Sequence, residues 1–435
     1  MNKINLLFDA SILLSNFRKD SGRSGIYFTA YNLLEKFKDV QQFNITLYFH
    51  YYQKKYLPLI KKDKLINNFE NIFYYDYNEK EQYIKNINVH KEYIKESKNI
   101  VLNITKYLRI ILNKYRIFKY KYYKNKAFDI LLNTINAYFT IDGFIPDKIK
   151  NINNIKKYLF LHDITPVLFP NYFPDLFKTN NHTKEYIEFK NLNKTNYYFC
   201  NSQNTKNDYL KYFSSELDEN KIFVTYISSA QIFLPDYNKE KLISIFNKYN
   251  IAYESNNKYI FSLCTLEPRK NLIFTIKCFI KFIEKHNIQD LYFLLGGGEW
   301  DFFILKLEEQ INNLDKYRNK VVKLGYIDDE DINILYSNSL FFTYLSQYEG
   351  FGMPVLEAMQ AGTPVMSSNN SSLPEVAGDA AIMIDYNSEE QCIKAFKELY
   401  FNESLRKEYI QKGLERAKLF SWEKTVKIMT DVMLK

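Results

Sequence analysis

The chain has 435 residues, of which 46% are apolar and 25% charged, with a formal net charge of +9. That length exceeds what one hydrophobic core serves and predicts two domains. The shares are those of an ordinary globular protein, and no stretch approaches the roughly 20 apolar residues of a membrane-spanning helix. The positive balance favours anionic partners without naming one.

The opening, MNKINLLFDASILL, does not read as a signal peptide, because Asp9 interrupts a short apolar run. INLLFDA (4–10) reads as a strand, SGIYFTAYNLLEKFK (24–38) as a helix and FNITLYF (43–49) as a second strand. A run from Lys106 to Lys126 then carries eight Lys or Arg and no Asp or Glu, interleaved with Tyr107, Tyr115, Phe118, Tyr120, Tyr122 and Tyr123. It reads first as a solvated helix face, and second as a patch held at an anionic membrane surface. KKYLFLHD (156–163), NYYFCNS (196–202) and KIFVTYI (221–227) are further strands, before a linker region near 231–257.

The second half alternates more regularly. Strands are expected at 258–264, 290–298, 321–326, 340–345, 363–368 and 380–385. Helices are expected at 271–286, 300–314, 329–339, 354–361, 389–400 and 421–434. Apolar strands alternating with amphipathic helices predict parallel sheets covered on both faces, in two α/β domains. Ligands of such sheets sit at the carboxyl ends of strands, and the cleft between two such domains is the expected site.

One segment carries more chemistry than the rest. In YEGFGMPVLEAMQAGTPV (348–365), Glu349 and Glu357 stand eight residues apart around Gly350, Gly352 and Pro354. Pro354 suits the first turn of a helix and Gly362 its C-terminal cap. A helix start has N–H groups without intrahelical partners, and glycines before it let the backbone approach a ligand closely. Glu357 lies roughly 4–5 Å along the axis from Pro354. The two acids can therefore grip different ends of one elongated polar ligand. A carboxylate accepting two hydroxyl protons suits a sugar or a ribose; alone, Glu357 would equally serve its own helix. Arg269 and Lys270, in TLEPRKNL (265–272), lie on the same carboxyl-end rim and could stabilise charge on a leaving phosphate. The glycines at 296–298 end another strand on that rim.

These stretches resemble family 4 of the glycosyltransferases, retaining enzymes with two facing Rossmann-like domains (the GT-B fold). EGFGMPVLE (349–357) is similar to the family's paired-glutamate motif. TLEPRKN (265–271), LGYIDDEDINILYSNS (324–339), GTPVMSSNNSSLPEVAGDAA (362–381) and LHDITPVLFPNYF (161–173) match as well. The last resembles the branch of bacterial O-antigen and capsule mannosyltransferases. The likeness covers residues 1–30 and 156–425, and is poor over 50–155.

The resemblance implies an N-terminal, acceptor-side domain over 1–230 with the basic insert near 50–155. It implies a linker region at 231–257, a nucleotide-sugar-binding domain over 258–415, and a last helical segment, 416–435, with the option of crossing back. By position, Glu349 would hold the donor sugar's hydroxyls. The backbone of Gly350, Phe351, Gly352 and Met353 would cradle sugar and diphosphate. Lys270 would sit on the diphosphate, with Arg269 a secondary candidate. Glu357 would take the ribose, Tyr326 and Ile327 would flank the base, His162 would reach the donor sugar, and Gly25 would admit the diphosphate. Thr265 stands where many relatives carry an arginine. Ser202 and Thr205, in NSQNT, resemble a strand-end loop without an assigned role.

The expected reaction is transfer of a hexose from a nucleotide sugar, with retention, to a growing surface glycan or lipid-linked glycan. GDP-mannose is the first choice; UDP-linked glucose, galactose or N-acetylhexosamine are alternatives. No cofactor, metal or nucleic acid is expected. DDED (328–331) reads as helix N-terminal stabilisation, and the histidines form no ligand spacing. Cys200, Cys264, Cys278 and Cys392 are widely spread and suit a reducing compartment. The expected place of work is cytoplasmic, peripheral on the inner face of the membrane. A nucleotide-sugar epimerase or sugar phosphorylase on this fold, and a non-catalytic membrane-associated subunit, are the competing readings.

Overall fold

A computed structural model describes residues 3–17, 25–49, 62–74, 109–115, 126–172, 189, 191–251, 257–298 and 301–435. Two sheets organise them. The first contains β1 (Ile4–Asp9), β2 (Phe43–Phe49), β3 (Asn71–Tyr74), β4 (Ala137–Thr140), β5 (Lys156–Leu161), β6 (Tyr197–Cys200) and β7 (Ile222–Val224), in the order β3-β2-β1-β4-β5-β6-β7. The second contains β8 (Lys258–Leu263), β9 (Leu291–Gly296), β10 (Val321–Gly325), β11 (Phe341–Tyr344), β12 (Val365–Ser368) and β13 (Ala381–Ile384), in the order β10-β9-β8-β11-β12-β13. All strand pairs of the second sheet are parallel, as are those from β3 through β5 in the first.

The helices include α1 (Gly25–Phe37), α2 (Gln203–Phe213), α3 (Lys239–Lys248), α4 (Leu272–Lys285), α5 (Asp301–Asn312), α6 (Asp329–Ser337), α7 (Met353–Gln360), α8 (Leu373–Ala377), α9 (Glu389–Phe401), α10 (Glu403–Ala417) and α11 (Trp422–Met433), beside shorter helical segments. The chain divides into two compact units. One is Met1–Phe160 with Tyr186–Phe199 and Asp431–Lys435; the other is Leu161–Glu185 with Cys200–Thr430.

The central strands are buried on both faces, which is why they read as continuous apolar runs. Leu6, Leu7 and Phe8 of β1, and Ile260 and Phe261 of β8, are fully enclosed. Helix α4 buries Leu272, Thr275, Ile276, Phe279, Phe282 and Ile283, one face at helical spacing. Its Phe282 ring lies 5.8 Å from Phe396 of α9. Full burial of each such ring contributes about 1.5–3 kcal/mol.

Several elements were not foreseen. The region 50–155 contributes β3 and the central β4, whose AYFT is too short to show a period. The 231–257 stretch holds α3, and NSQNT opens helix α2 rather than a loop. Helix α10 escaped notice because it buries little besides Gly413 and Ala417. Of the basic run, 109–115 and Lys126 are described and the rest lies outside the described residues; so do Arg18–Ser24 and His50, His90 and His182. Among the described residues, no helix is long and apolar enough to cross a membrane.

Strand order places the loops that carry the candidate residues. The second sheet reverses direction between the neighbours β8 and β11, where Phe341 pairs with Ile260 and Phe342 with Phe261. The loops leaving these two carboxyl ends are 264–271 and 345–352, and such a switch point is where open α/β sheets bind ligands.

Candidate active site

After β8 the chain turns through Pro268–Lys270, and Asn271 (φ 58°) caps α4 from the left-handed region that Asn tolerates. The turn directs two consecutive cations to one carboxylate. Lys270 Nζ lies 2.6 Å from Glu349 Oε1, and an Arg269 guanidinium nitrogen lies 3.1 Å from Glu349 Oε2. Lys270 also donates to the Tyr344 hydroxyl at 2.8 Å. Arg269 is held by Glu267 at 2.5 Å and by the Tyr348 carbonyl. From the sequence, adjacent side chains at 269 and 270 did not have to converge; in the structure they do. Burial alone would raise the Glu349 carboxyl, but Arg269 and then Lys270 hold it down at about 2.

The glycine loop is fixed by hydroxyls. The Glu349 N–H donates to Ser371 Oγ at 3.0 Å, and Ser372 Oγ sits 2.9 Å from the carbonyl oxygens of Glu349 and Phe351. Gly352 has φ +100°, and a Cβ there would meet Leu373 Cδ2 at 2.6 Å. Glycine is favoured there by its conformation, and a side chain would also have to displace the end of Leu373. Helix α7 follows, with Pro354 in its first turn. It ends in a Schellman motif: Gly362 (φ 71°) donates to the Met359 carbonyl and Thr363 to that of Ala358.

Glu357, one turn into α7, has a different environment. It is buried, and takes the Ala230 N–H on Oε1 at 3.4 Å and the Tyr336 hydroxyl on Oε2 at 3.1 Å. Desolvation outweighs these two bonds and raises its carboxyl to about 7. One loop and helix therefore present an acid near 2 and an acid near 7, a separation set wholly by surroundings.

The other expected residues fall as follows. Thr265 is exposed on the β8 loop. Ile327 is buried against Gly296, where a Cβ would meet its Cδ1 at 2.3 Å, while Tyr326 beside it is exposed. His162 directly follows β5 and is half-buried. Its carbonyl oxygen lies 2.3 Å from where a Gly350 Cβ would stand. Gly25 opens α1 in the other compact unit, and its carbonyl accepts from Thr29 Oγ1 at 2.8 Å. Sequence reasoning assigned no role to Tyr344, Ser371, Ser372 and Glu375, although the last three lie in the matching run 362–381. The acids of 329–331 do occupy the first turn of α6, but Lys248 bridges Asp328 and Asp331 at 2.6 Å each. Among the described residues, no group of three or more His, Cys, Asp or Glu is placed to hold a metal ion.

Known proteins resemble this arrangement. The family model described as glycosyl transferases group 1 matches residues 245–416. O-antigen chain mannosyltransferase B of Escherichia coli is 30% identical over 262 residues, which cover 60% of this chain and 66% of that protein. The serotype-specific mannosyltransferase WbdA of Escherichia coli is 28% identical over 52% of this chain but 27% of its own length. The chain thus spans just under two thirds of the first relative and about a quarter of the second. Among solved structures, sucrose-phosphate synthase from Thermosynechococcus elongatus aligns with TM-score 0.67 at 14% identity, covering 99% of this chain and 98% of that one. WaaG, a glycosyltransferase involved in lipopolysaccharide biosynthesis, aligns with TM-score 0.62 at 12% identity, covering 98% and 99%. The two parallel α/β sheets and the solved structures define the GT-B fold, and residues 245–416 are similar to glycosyl transferases group 1. More particularly, parts of the chain are similar in sequence to bacterial O-antigen chain mannosyltransferases.

Proposed function

We propose that the chain is a retaining hexosyltransferase that takes a sugar from a nucleotide donor, GDP-mannose first, to a growing surface or lipid-linked glycan. The observation that carries this reading is Glu349, buried and ionised between Arg269 and Lys270 at the β8/β11 switch point. An ionised carboxylate accepts hydroxyl protons of a sugar, and cations beside it stabilise a departing diphosphate. In the reaction the bond from the anomeric carbon to the diphosphate oxygen breaks, its electron pair leaving with the diphosphate. A bond to the acceptor hydroxyl oxygen forms on the same face, and the hydroxyl proton is released.

The remaining roles follow the loops. The backbone of Gly350, Phe351, Gly352 and Met353 cradles sugar and diphosphate, and Glu357 takes the ribose hydroxyls. Tyr326 and Ile327 flank the base. His162 reaches the donor sugar, Gly25 admits the diphosphate, and Thr265 lines the rim. Residues 258–415 serve the donor and 1–230 the acceptor. The names of the relatives favour mannose; UDP-linked hexoses are the competitors. The acceptor is met at the inner face of the membrane.

The test is nucleotide release from GDP-mannose, UDP-glucose, UDP-galactose and UDP-N-acetylglucosamine, with a pool of lipid-linked acceptors present. Wild-type protein should turn over one of these donors, and Glu349→Ala and Lys270→Ala should abolish that turnover. Release that survives both changes would remove these residues from the site. Change of the nucleotide sugar without acceptor would mark an epimerase, and dependence on inorganic phosphate a phosphorylase.

A further inference from the structure

The stretch NSQNT has no role in the reading above, yet its two hydroxyls touch the site. Ser202 and Thr205 are fully buried, and they lie in the same compact unit as His162 and Gly350. Ser202 is the N-cap of α2: its Oγ accepts the Thr205 N–H at 3.0 Å. That leaves its proton free to donate elsewhere, and it does so to the Gly350 carbonyl at 2.7 Å. Thr205 Oγ1 lies 3.2 Å from both the Gly350 and the His162 carbonyl oxygens, so its one proton is shared between them.

Two further contacts hold the same corner. The Tyr348 hydroxyl donates to Asp208 of α2 at 2.8 Å, so the residues on both sides of Glu349 are fastened to one helix. The start of that helix is itself seated by Glu375 of α8, whose carboxylate takes the N–H groups of Gln203 and Asn204 at 2.7 and 2.6 Å. At Gly350 there is no room for a side chain, because the His162 carbonyl would lie 2.3 Å from a Cβ.

We infer that Ser202 and Thr205 are positioning residues, whose hydroxyls lock the Gly350 and His162 backbones together and thereby fix Glu349 relative to His162. This rests on the proposed transfer reaction, because it assigns the pair to the geometry of that step. Both residues are fully buried and their hydroxyls are spent on backbone carbonyls, so neither is assigned to the donor. Their loss should therefore lower kcat and leave donor binding nearly intact, since a displacement of about 1 Å can cost on the order of a hundredfold in rate.

The experiment compares wild type with Thr205→Val, Thr205→Ser, Ser202→Ala and the Ser202→Ala/Thr205→Val double variant, using the donor that wild type turns over. Folding is checked by the unfolding midpoint, and nucleotide affinity by calorimetry with GDP or UDP. The double variant should lose about 10- to 100-fold in kcat, with donor KM and nucleotide affinity within about twofold. Thr205→Val keeps the shape and loses the hydroxyl; Thr205→Ser should restore most of the rate. Unchanged kcat in folded variants, or equal losses in kcat/KM and nucleotide affinity, would overturn the inference while leaving the transfer reaction in place. If Ser202→Ala fails to fold, the Thr205→Val and Thr205→Ser pair decides alone. Absence of turnover by wild type with every donor would overturn the reaction itself, and the inference with it.

Discussion

Lys270 Nζ lies 2.6 Å from Glu349 Oε1, and Arg269 takes the second carboxylate oxygen at 3.1 Å. The three side chains are 8–12% exposed, so each charge depends on the others for what water would supply. Removing one partner of a buried pair strands the other, typically at about 3–5 kcal/mol. Arg269 remains beside Glu349, so Lys270→Met should cost about 3 kcal/mol, the lower end of that range. The Lys270→Met/Glu349→Gln double variant should cost less than the sum of the single changes. A double-mutant cycle in urea measures this. Additivity within about 0.5 kcal/mol would mean that the two groups do not stabilise one another.

The two acids of the loop should give opposite pH signatures. Glu349 is held at about 2, below its ordinary 4.5, so its contribution is present above 4.5 and is lost as pH falls toward 2. Glu357 is raised to about 7 from 4.5. The folded state then holds a proton that the unfolded state has released, so stability falls as pH rises from 4.5 to 7 and levels off above. A shift of this size corresponds to about 3 kcal/mol. Glu357→Gln should therefore raise the unfolding midpoint at pH 8 and change it little at pH 4.5. Thermal melts across this range check it, and a midpoint difference independent of pH would contradict the raised carboxyl.

How much of this was legible beforehand differs between the parts of the site. The helix at 353–360 could be read from Pro354 and Gly362, because each fixes a backbone geometry that few residues allow. The strands β8, β9 and β11 could be read because buried parallel strands are uninterrupted apolar runs. The contact of Arg269 and Lys270 with one carboxylate could not, since it depends on the turn at Pro268–Lys270 and the left-handed Asn271. Nor could the role of Ser202 and Thr205. Serine before a helix is a recognisable N-cap, but the carbonyl that Ser202 serves is 148 residues away. Helix α10 hid for another reason: a helix that buries only small residues leaves no apolar stripe.

Gly352 and Gly298 make a controlled pair. Gly352 has φ +100° and would place a Cβ 2.6 Å from Leu373 Cδ2; a Cβ on Gly298 meets nothing within 4 Å. Gly352→Ala adds backbone strain of roughly 1–2 kcal/mol and a steric overlap of about 1–3 kcal/mol. It should lower the unfolding midpoint by several degrees and weaken nucleotide binding, because an L side chain strains the loop at this positive φ. Gly298→Ala should do neither. Calorimetry with GDP and UDP beside thermal melts gives both readings; equal behaviour of the two variants would refute the strain argument.

The basic run makes the last prediction, which concerns the proposed place of work. Within 109–115, which is helical, Ile110 and Asn113 are buried, whereas Ile111, Leu112 and Tyr115 are 59%, 46% and 58% exposed, next to Lys114. Apolar side chains presented beside cations suit an anionic lipid surface, where each Lys or Arg contributes about 1 kcal/mol. Salt screens that attraction over roughly 10 Å at 0.1 M, but leaves apolar insertion nearly untouched. Binding to vesicles should therefore rise with the fraction of anionic lipid and fall only in part with salt. Changing Lys114, Arg116, Lys119 and Lys121 to Ser should remove the salt-sensitive part, and Ile111→Ser with Tyr115→Ser the remainder. Co-sedimentation with vesicles of stated anionic content separates the two. Donor turnover on a water-soluble acceptor should persist in both variants, because the Glu349 site lies in the other compact unit. Equal vesicle binding by wild type and both variants would take the patch out of the mechanism.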